Sequence, residues 1–139
     1  MKKVVIDTGV VVSALLKKEG TSRKSLMRAL NNCLPLLATD TFNELNEVLN
    51  RPKFASFFST EDKLAIIALM LERCEWVEVT SNVLACRDKN DNMLLNLALD
   101  GRADILLTRD PDLLMLNPFQ GIPILNPAEF IQWLEERDR

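Results

Sequence analysis

The chain contains no histidine. That absence excludes imidazole acid/base chemistry, Ser-His-Asp triads and the usual His-containing zinc sites, so any chemistry here falls to carboxylates, lysines, thiols or hydroxyls. Cysteine is sparse: Cys33, Cys74 and Cys86 are an odd number at wide spacing with no Cys-x-x-Cys pair, and they read as buried free thiols. The longest uninterrupted apolar run, Leu64 to Leu71, has eight residues, against the roughly 20 a membrane-spanning helix needs. Met1-Lys2-Lys3 supplies a basic pair, but Asp7 breaks the apolar stretch behind it, so no secretion signal is read and the cytoplasm is the expected location. Repeats, low-complexity tracts and Gly/Ser linkers are also missing, which makes residues 1–139 one expected domain.

What is present is an ordinary globular composition. Apolar residues make up 47% and charged residues 27% of 139, and 17 Lys+Arg against 20 Asp+Glu leave a net charge of −3, too little to favour disorder. Val4-Val5-Ile6 is a β-branched run ending at Asp7, followed by the mostly apolar Val10 to Leu16: strand, sharp turn, helix. The pattern repeats. Leu26, Met27 and Leu30 mark a helix over 22–32, and Leu34 to Ala38 suits a second strand. Thr41 through Glu44 fits a capping box opening a helix through Leu49, closed by Arg51-Pro52. A helix over 60–73, capped by Thr60, shows an apolar face of Leu64, Ile67, Ala68 and Leu71, before a strand at Trp76 to Val79. Asp91 to Leu99 is helical with Gly101 as its C′ glycine, Ile105 to Leu107 is a strand, and Asp112 to Leu116 a short helix. Ile122-Pro123-Ile124 is read as the last strand and Pro127 opens the final helix. Alternation of this kind predicts an α/β, three-layer domain with a mostly parallel central sheet and helices on both faces.

Open α/β sheets place their functional crevice beyond the carboxyl ends of the strands. Asp7 and Asp110 fall there, after the first strand and after Ile105–Leu107. Asp91 has Leu94, Leu95 and Ala98 on its own helical stripe and is expected to point inward, and Glu44 borders the apolar arc of its helix whereas Glu47 faces away. Gathered carboxylates repel one another, and a divalent cation with hard oxygen ligands, Mg²⁺ or Mn²⁺, relieves that repulsion and can activate water against a phosphodiester. Taken singly, Asp91 and Asp110 fit helix N-terminal carboxylates equally well, and Glu44 fits a capping-box residue. The set carries the functional reading.

The ordered segments Val4-Val5-Ile6-Asp7-Thr8, Phe42-Asn43-Glu44-Leu45, Asp88-Lys89-Asn90-Asp91-Asn92 and Ile105-Leu106-Leu107-Thr108-Arg109-Asp110, with Asp112-Leu113-Leu114 and Pro127-Ala128-Glu129-Phe130, are similar to those of PIN-domain ribonucleases. The chain most resembles the toxin components of VapC-like toxin–antitoxin pairs. The resemblance implies that Asp7, Glu44, Asp91 and Asp110 are the catalytic acids that bind Mg²⁺ or Mn²⁺ for cleavage of single-stranded RNA. It further implies auxiliary roles for Asp88 and Asp112, with Thr8 and Thr108 hydrogen-bonding near the acids. Family members most often carry Asn two residues after the first Asp, where this chain has Gly9. The resemblance also implies a homodimer and an antitoxin protein that blocks the acidic cleft.

An acidic chain binds nucleic acid through local basic patches if at all. Lys17, Lys18, Arg23, Lys24 and Arg28 form one cluster and Arg51 with Lys53 another, candidate RNA contacts that equally suit a solvated helix face. The rival reading is a catalytically weak or inactive PIN-like scaffold, to which Gly9 points and the complete acidic quartet does not. Phosphoryl-transfer enzymes of other α/β families fit less well: an Asp-x-Gly ATPase needs a far longer chain, and a haloacid-dehalogenase-type phosphatase wants an acid where Gly9 stands.

Overall fold

In the computed structural model, which describes residues 1–137, the β-branched run at the start of the chain lies at the centre of a five-stranded, all-parallel sheet of order β3-β2-β1-β4-β5. The one-domain reading of 1–139 therefore includes two residues outside the described ones. The strands are β1 (Lys3–Ile6), β2 (Leu34–Leu37), β3 (Glu75–Trp76), β4 (Ile105–Leu107) and β5 (Ile124–Leu125). Seven α-helices accompany them among the described residues: α1 (Thr8–Leu16), α2 (Thr21–Asn32), α3 (Thr39–Leu49), α4 (Thr60–Arg73), α5 (Lys89–Asp100), α6 (Pro111–Leu114) and α7 (Pro127–Arg137). The result is the expected three-layer α/β fold.

Side chains alternate across each strand, and this alternation separates two cores. Val4, Ile6, Ile105, Leu107 and Leu37 face one side, where they pack with Val10, Leu26, Leu30, Leu49, Met70 and Phe130. Val5, Leu106 and Leu36 face the other, against Leu94, Leu95, Ala98 and Leu113. Strands apolar on both faces are what a sheet covered twice requires.

Several boundaries differ from the sequence expectation for identifiable reasons. Helix α3 starts at Thr39 rather than near Phe42, and Thr41 occupies its third position, where its hydroxyl bonds both the amide and the carbonyl of Ala38 at 3.0 Å. Glu44 is thereby a turn further into the helix, with no capping role. Ser59, not Thr60, caps α4, its Oγ accepting from the Asp62 amide at 3.0 Å. The buried residues of α4 are Ile66 and Met70, whereas Leu64 is 55% and Leu71 41% exposed; an eight-residue run apolar on every side carries no period from which to choose a face. The last strand moves to Ile124–Leu125, because Ile122 closes a turn with Phe119 through two 2.9 Å backbone bonds and Pro123 has no N–H to donate. Gly101 is not the left-handed residue after α5: its φ is −83° and Arg102 takes that conformation with φ 53°. Close approach is its role, since a Cβ there would lie 2.6 Å from Leu36 Cδ1 and 3.0 Å from the Leu97 carbonyl.

The strand expected over Trp76 to Val79 stops at Trp76, and residues 77–88 form no helix or strand. This stretch is instead laced onto α5 by three polar residues at four-residue spacing. Asn92 bonds both backbone groups of Cys86 (2.8 and 2.9 Å), Asn96 bonds those of Val83 (2.7 and 3.4 Å), and Asp100 accepts from the amides of Thr80 and Ser81 (2.6 and 2.8 Å). Buried amides thus substitute for a neighbouring strand and deliver Asp88 to the start of α5. Asn96→Ala strips Val83 of both partners, and the expected loss is about 1–3 kcal/mol in urea unfolding at unchanged m-value.

Candidate functional site

The parallel register assembles the site. Ile6 pairs with Leu107 and the Asp7 amide donates to the Leu107 carbonyl at 2.9 Å, so the residues leaving β1 and β4 emerge side by side. Asp7 caps α1 and Asp110 caps α6, each accepting a bond from the amide two residues on (Gly9, 3.4 Å; Asp112, 2.9 Å). Fully buried Thr108 ties the two together. Its hydroxyl donates to Asp7 Oδ2 at 2.6 Å and accepts from the Asp110 amide at 3.0 Å. Asp88 caps α5 through the Asn90 amide at 2.8 Å, which sends Asp91, in the first turn and 5% exposed, toward the strand ends.

One carboxylate oxygen from each of Asp7, Asp91 and Asp110 lies within 4.8 Å of the other two. Asp91 Oδ2 is buried and has no hydrogen-bond partner, an arrangement that is costly unless a proton or a cation satisfies it. Burial pushes the Asp91 carboxyl up to about 8, helped by neighbouring Asp110 and by the charges of Asp7 and Asp88. Burial also raises Asp7, against the opposing Thr108 hydrogen bond. Glu44, also in the cleft wall, accepts a short hydrogen bond from the Thr8 hydroxyl, and burial raises it as well. An all-oxygen donor set in which one carboxylate carries an orphaned oxygen fits a hard divalent cation; Asp7, Asp91 and Asp110 are the residues placed to hold it, and Glu44 lines the same cleft outside that group of three.

The cleft has a volume of about 620 Å³, and its walls carry Thr8, Gly9, Glu44, Arg51, Lys53, Asp88 and Arg109 besides the three acids. Asp112 lies outside it, on the exposed face of α6, where only its backbone amide reaches Asp110. Gly9 has open space beyond it: a Cβ there would meet nothing within 4 Å. Of the candidate RNA contacts, Arg51 and Lys53 reach the cleft, Arg51 also pairing with Glu47 at 3.0 Å. Lys17 stands beside the adjoining pocket, and Lys18 and Lys24 are exposed away from both. Arg23 is held in a bidentate pair with Asp62 at 3.0 and 3.2 Å. Ser13, Asn90 and Arg109 also line the cleft without having been singled out from the sequence; Arg109, between Thr108 and Asp110, was the one with a legible signal. Thr108→Val keeps the shape but removes the hydroxyl from two partners, and it is expected to cost about 1–3 kcal/mol of stability by denaturant unfolding and to loosen the Asp7–Asp110 geometry.

Comparison with known proteins agrees with this geometry. Residues 3–112 match the PIN domain family. The uncharacterized protein MJ1680 of Methanocaldococcus jannaschii is 29% identical over 148 aligned positions, spanning 96% of this chain and 92% of its own length. A chain in the crystal structure of VapBC2 from Rickettsia felis, bound to a DNA fragment from their promoter, superposes with a TM-score of 0.60 over 89% of this chain and 98% of its own, at 14% identity. That likeness is one of fold. No helix among the described residues is long and apolar enough to cross a membrane. With the family match extending from β1 to α6 and the acids assembled at the sheet's carboxyl edge, the chain belongs to the PIN domain family.

Proposed function

We propose that this protein is a divalent-cation-dependent endoribonuclease that hydrolyses phosphodiester bonds of single-stranded RNA, the toxin half of a toxin–antitoxin pair acting as a cytoplasmic homodimer. One observation carries the reading: three carboxylates meet at the edge of a PIN-domain sheet, and one oxygen among them is buried with no partner.

A bound Mg²⁺ or Mn²⁺ would neutralise the acids, lower the pKa of water and stabilise charge developing on the phosphate. The chain's own residues do the rest. Thr108 holds Asp7 and Asp110 in mutual register, and Thr8 holds Glu44 in place. Glu44, its carboxyl raised by burial and so made more basic than an ordinary carboxylate, is suited to take a proton from attacking water. Arg51, Lys53 and Arg109 supply positive charge along the cleft for the backbone to either side. Asp88 orients the start of α5 and so the Asp91 carboxylate. An antitoxin segment bringing Arg or Lys to the acids would replace the cation's charge and shut the site; the VapBC2 structural neighbour supports a partner of that kind.

The test is cleavage of a matched panel: unstructured RNA, the same sequence in a hairpin, and its DNA counterpart, each with Mg²⁺, Mn²⁺ or EDTA. Cleavage of the unstructured RNA alone, and only with a cation, is the expected pattern. Cation-independent cleavage or none at all removes the reading.

A further inference from the structure

A second pocket of about 460 Å³ adjoins the acidic cleft, and Ser13 and Arg109 line both. In a chain that is acidic overall, its walls carry two cations, Lys17 and Arg109, and no acid among the described residues. Neither cation has an ion-pair or hydrogen-bond partner among those residues. The pocket is floored by the start of α2. Gly20 caps that helix without a side-chain bond, and the amides of Thr21, Ser22 and Arg23 find no acceptor among the described residues. Ser22, 7% exposed as a residue, lines the pocket, and its hydroxyl, which is not shut away from solvent, has no partner among the described residues. A serine hydroxyl open to the pocket and free helix-terminal amides, beside two unpaired cations, form a coherent set of donors for an oxyanion.

Gly20 sharpens the arrangement. A Cβ there would sit 3.2 Å from Lys17 Cδ and 3.3 Å from its Cγ, so the lysine stem lies against the helix start. From the shared wall with the acids and this donor set, we propose that the pocket is a phosphate-binding subsite, taking a phosphate of the nucleic-acid strand whose neighbouring linkage lies at Asp7, Asp91 and Asp110. The identity of that strand rests on the nuclease reading above; the anion chemistry does not. A phosphate here would anchor the strand one or two linkages from the acids and set which bond meets them.

The experiment is a titration of the whole protein with inorganic phosphate in EDTA at constant ionic strength, following backbone amide resonances by two-dimensional NMR. EDTA keeps cation-bound phosphate at the acids out of the measurement. Saturable shifts at Thr21, Ser22 and Arg23 are expected, absent with chloride. Lys17→Gln should weaken binding about tenfold and Ser22→Ala about threefold. Parallel titrations with uridine 5′-monophosphate and with the dinucleotide UpU separate the two sources of the group: tighter binding of the first assigns a strand end, of the second an internal linkage. Absence of saturable shifts, or wild-type affinity in Lys17→Gln, overturns the subsite. A protein that binds phosphate here yet cleaves no RNA upholds the subsite and refutes the nuclease, so the two failures are distinct.

Discussion

Asp91→Asn is expected to lower cation-dependent RNA cleavage by about 10²- to 10⁴-fold while leaving the cation-free protein folded and, above neutral pH, more stable than wild type. Both parts follow from one atom. Asp91 Oδ2 is buried without a partner beside Asp7 and Asp110, so ionising this carboxyl in the absence of a cation places a charge against two others in a desolvated site. An amide of the same size removes that charge and can donate to the Asp110 carboxylate. The same change removes the ligand that would help hold a cation. Thermal melting in EDTA at pH 8, alongside cleavage with Mn²⁺, checks the pair of outcomes; a variant that loses activity only because it unfolds contradicts the account.

The second large effect is a dependence of stability on pH that a divalent cation abolishes. Asp91 is pushed up to about 8 in the folded chain from an ordinary value of 3.8, and Asp7 and Glu44 are raised in the same sense. Between the two Asp91 values the folded state holds a proton that the unfolded chain lacks, so stability falls as pH rises through that window. Asp62, lowered by its Arg23 partner, and Asp100, lowered by its bonds to Ser81 and Thr80, act in the opposite sense, their stabilisation being lost as pH falls below about 4. A stability maximum in the mildly acidic range follows. In EDTA, Tm is expected to drop by about 5–10 °C from pH 5 to pH 8. Mn²⁺ at a hundredfold excess over its Kd adds about 2.7 kcal/mol. Its effect grows with pH, since the acids must lose their protons to bind. Differential scanning calorimetry across pH, with and without Mn²⁺, reads both; a Tm independent of pH in EDTA would mean that the acids do not crowd one another.

The layered fold and the meeting of Asp7, Asp91 and Asp110, three of the four acids expected together, were legible because each rests on a strong local signal. Strands apolar on both faces demand a doubly covered sheet, and an acid directly after such a strand has only the carboxyl edge to occupy. The inward direction of Asp91 followed from its stripe with Leu94, Leu95 and Ala98, and the structure buries it. Three features were hidden for physical reasons. The face of α4 was lost in a run without period. The stretch 77–88 has no repeating pattern of its own, since its hydrogen bonds go to Asn92, Asn96 and Asp100, whose four-residue spacing resembles an ordinary polar helix face. The pairing of Arg23 with Asp62, 39 residues on, depends on packing between α2 and α4 that no local pattern encodes, and it separates this arginine from the unpaired Lys17 nearby.

Gly9 bears on whether the site is active or vestigial. Its position opens into the cleft with nothing within 4 Å of a Cβ, and Asp7 is held by Thr108 and its own cap bond without help from a ninth-position side chain. The acids therefore converge in the presence of glycine. The most direct measurement is single-turnover cleavage of an unstructured RNA by wild type and Asp7→Asn, each with Mn²⁺ and with EDTA. The account predicts cleavage by the wild type with Mn²⁺ alone, and a loss of at least about a hundredfold in the variant. Equal rates in wild type and variant, or cleavage that survives EDTA, would contradict it.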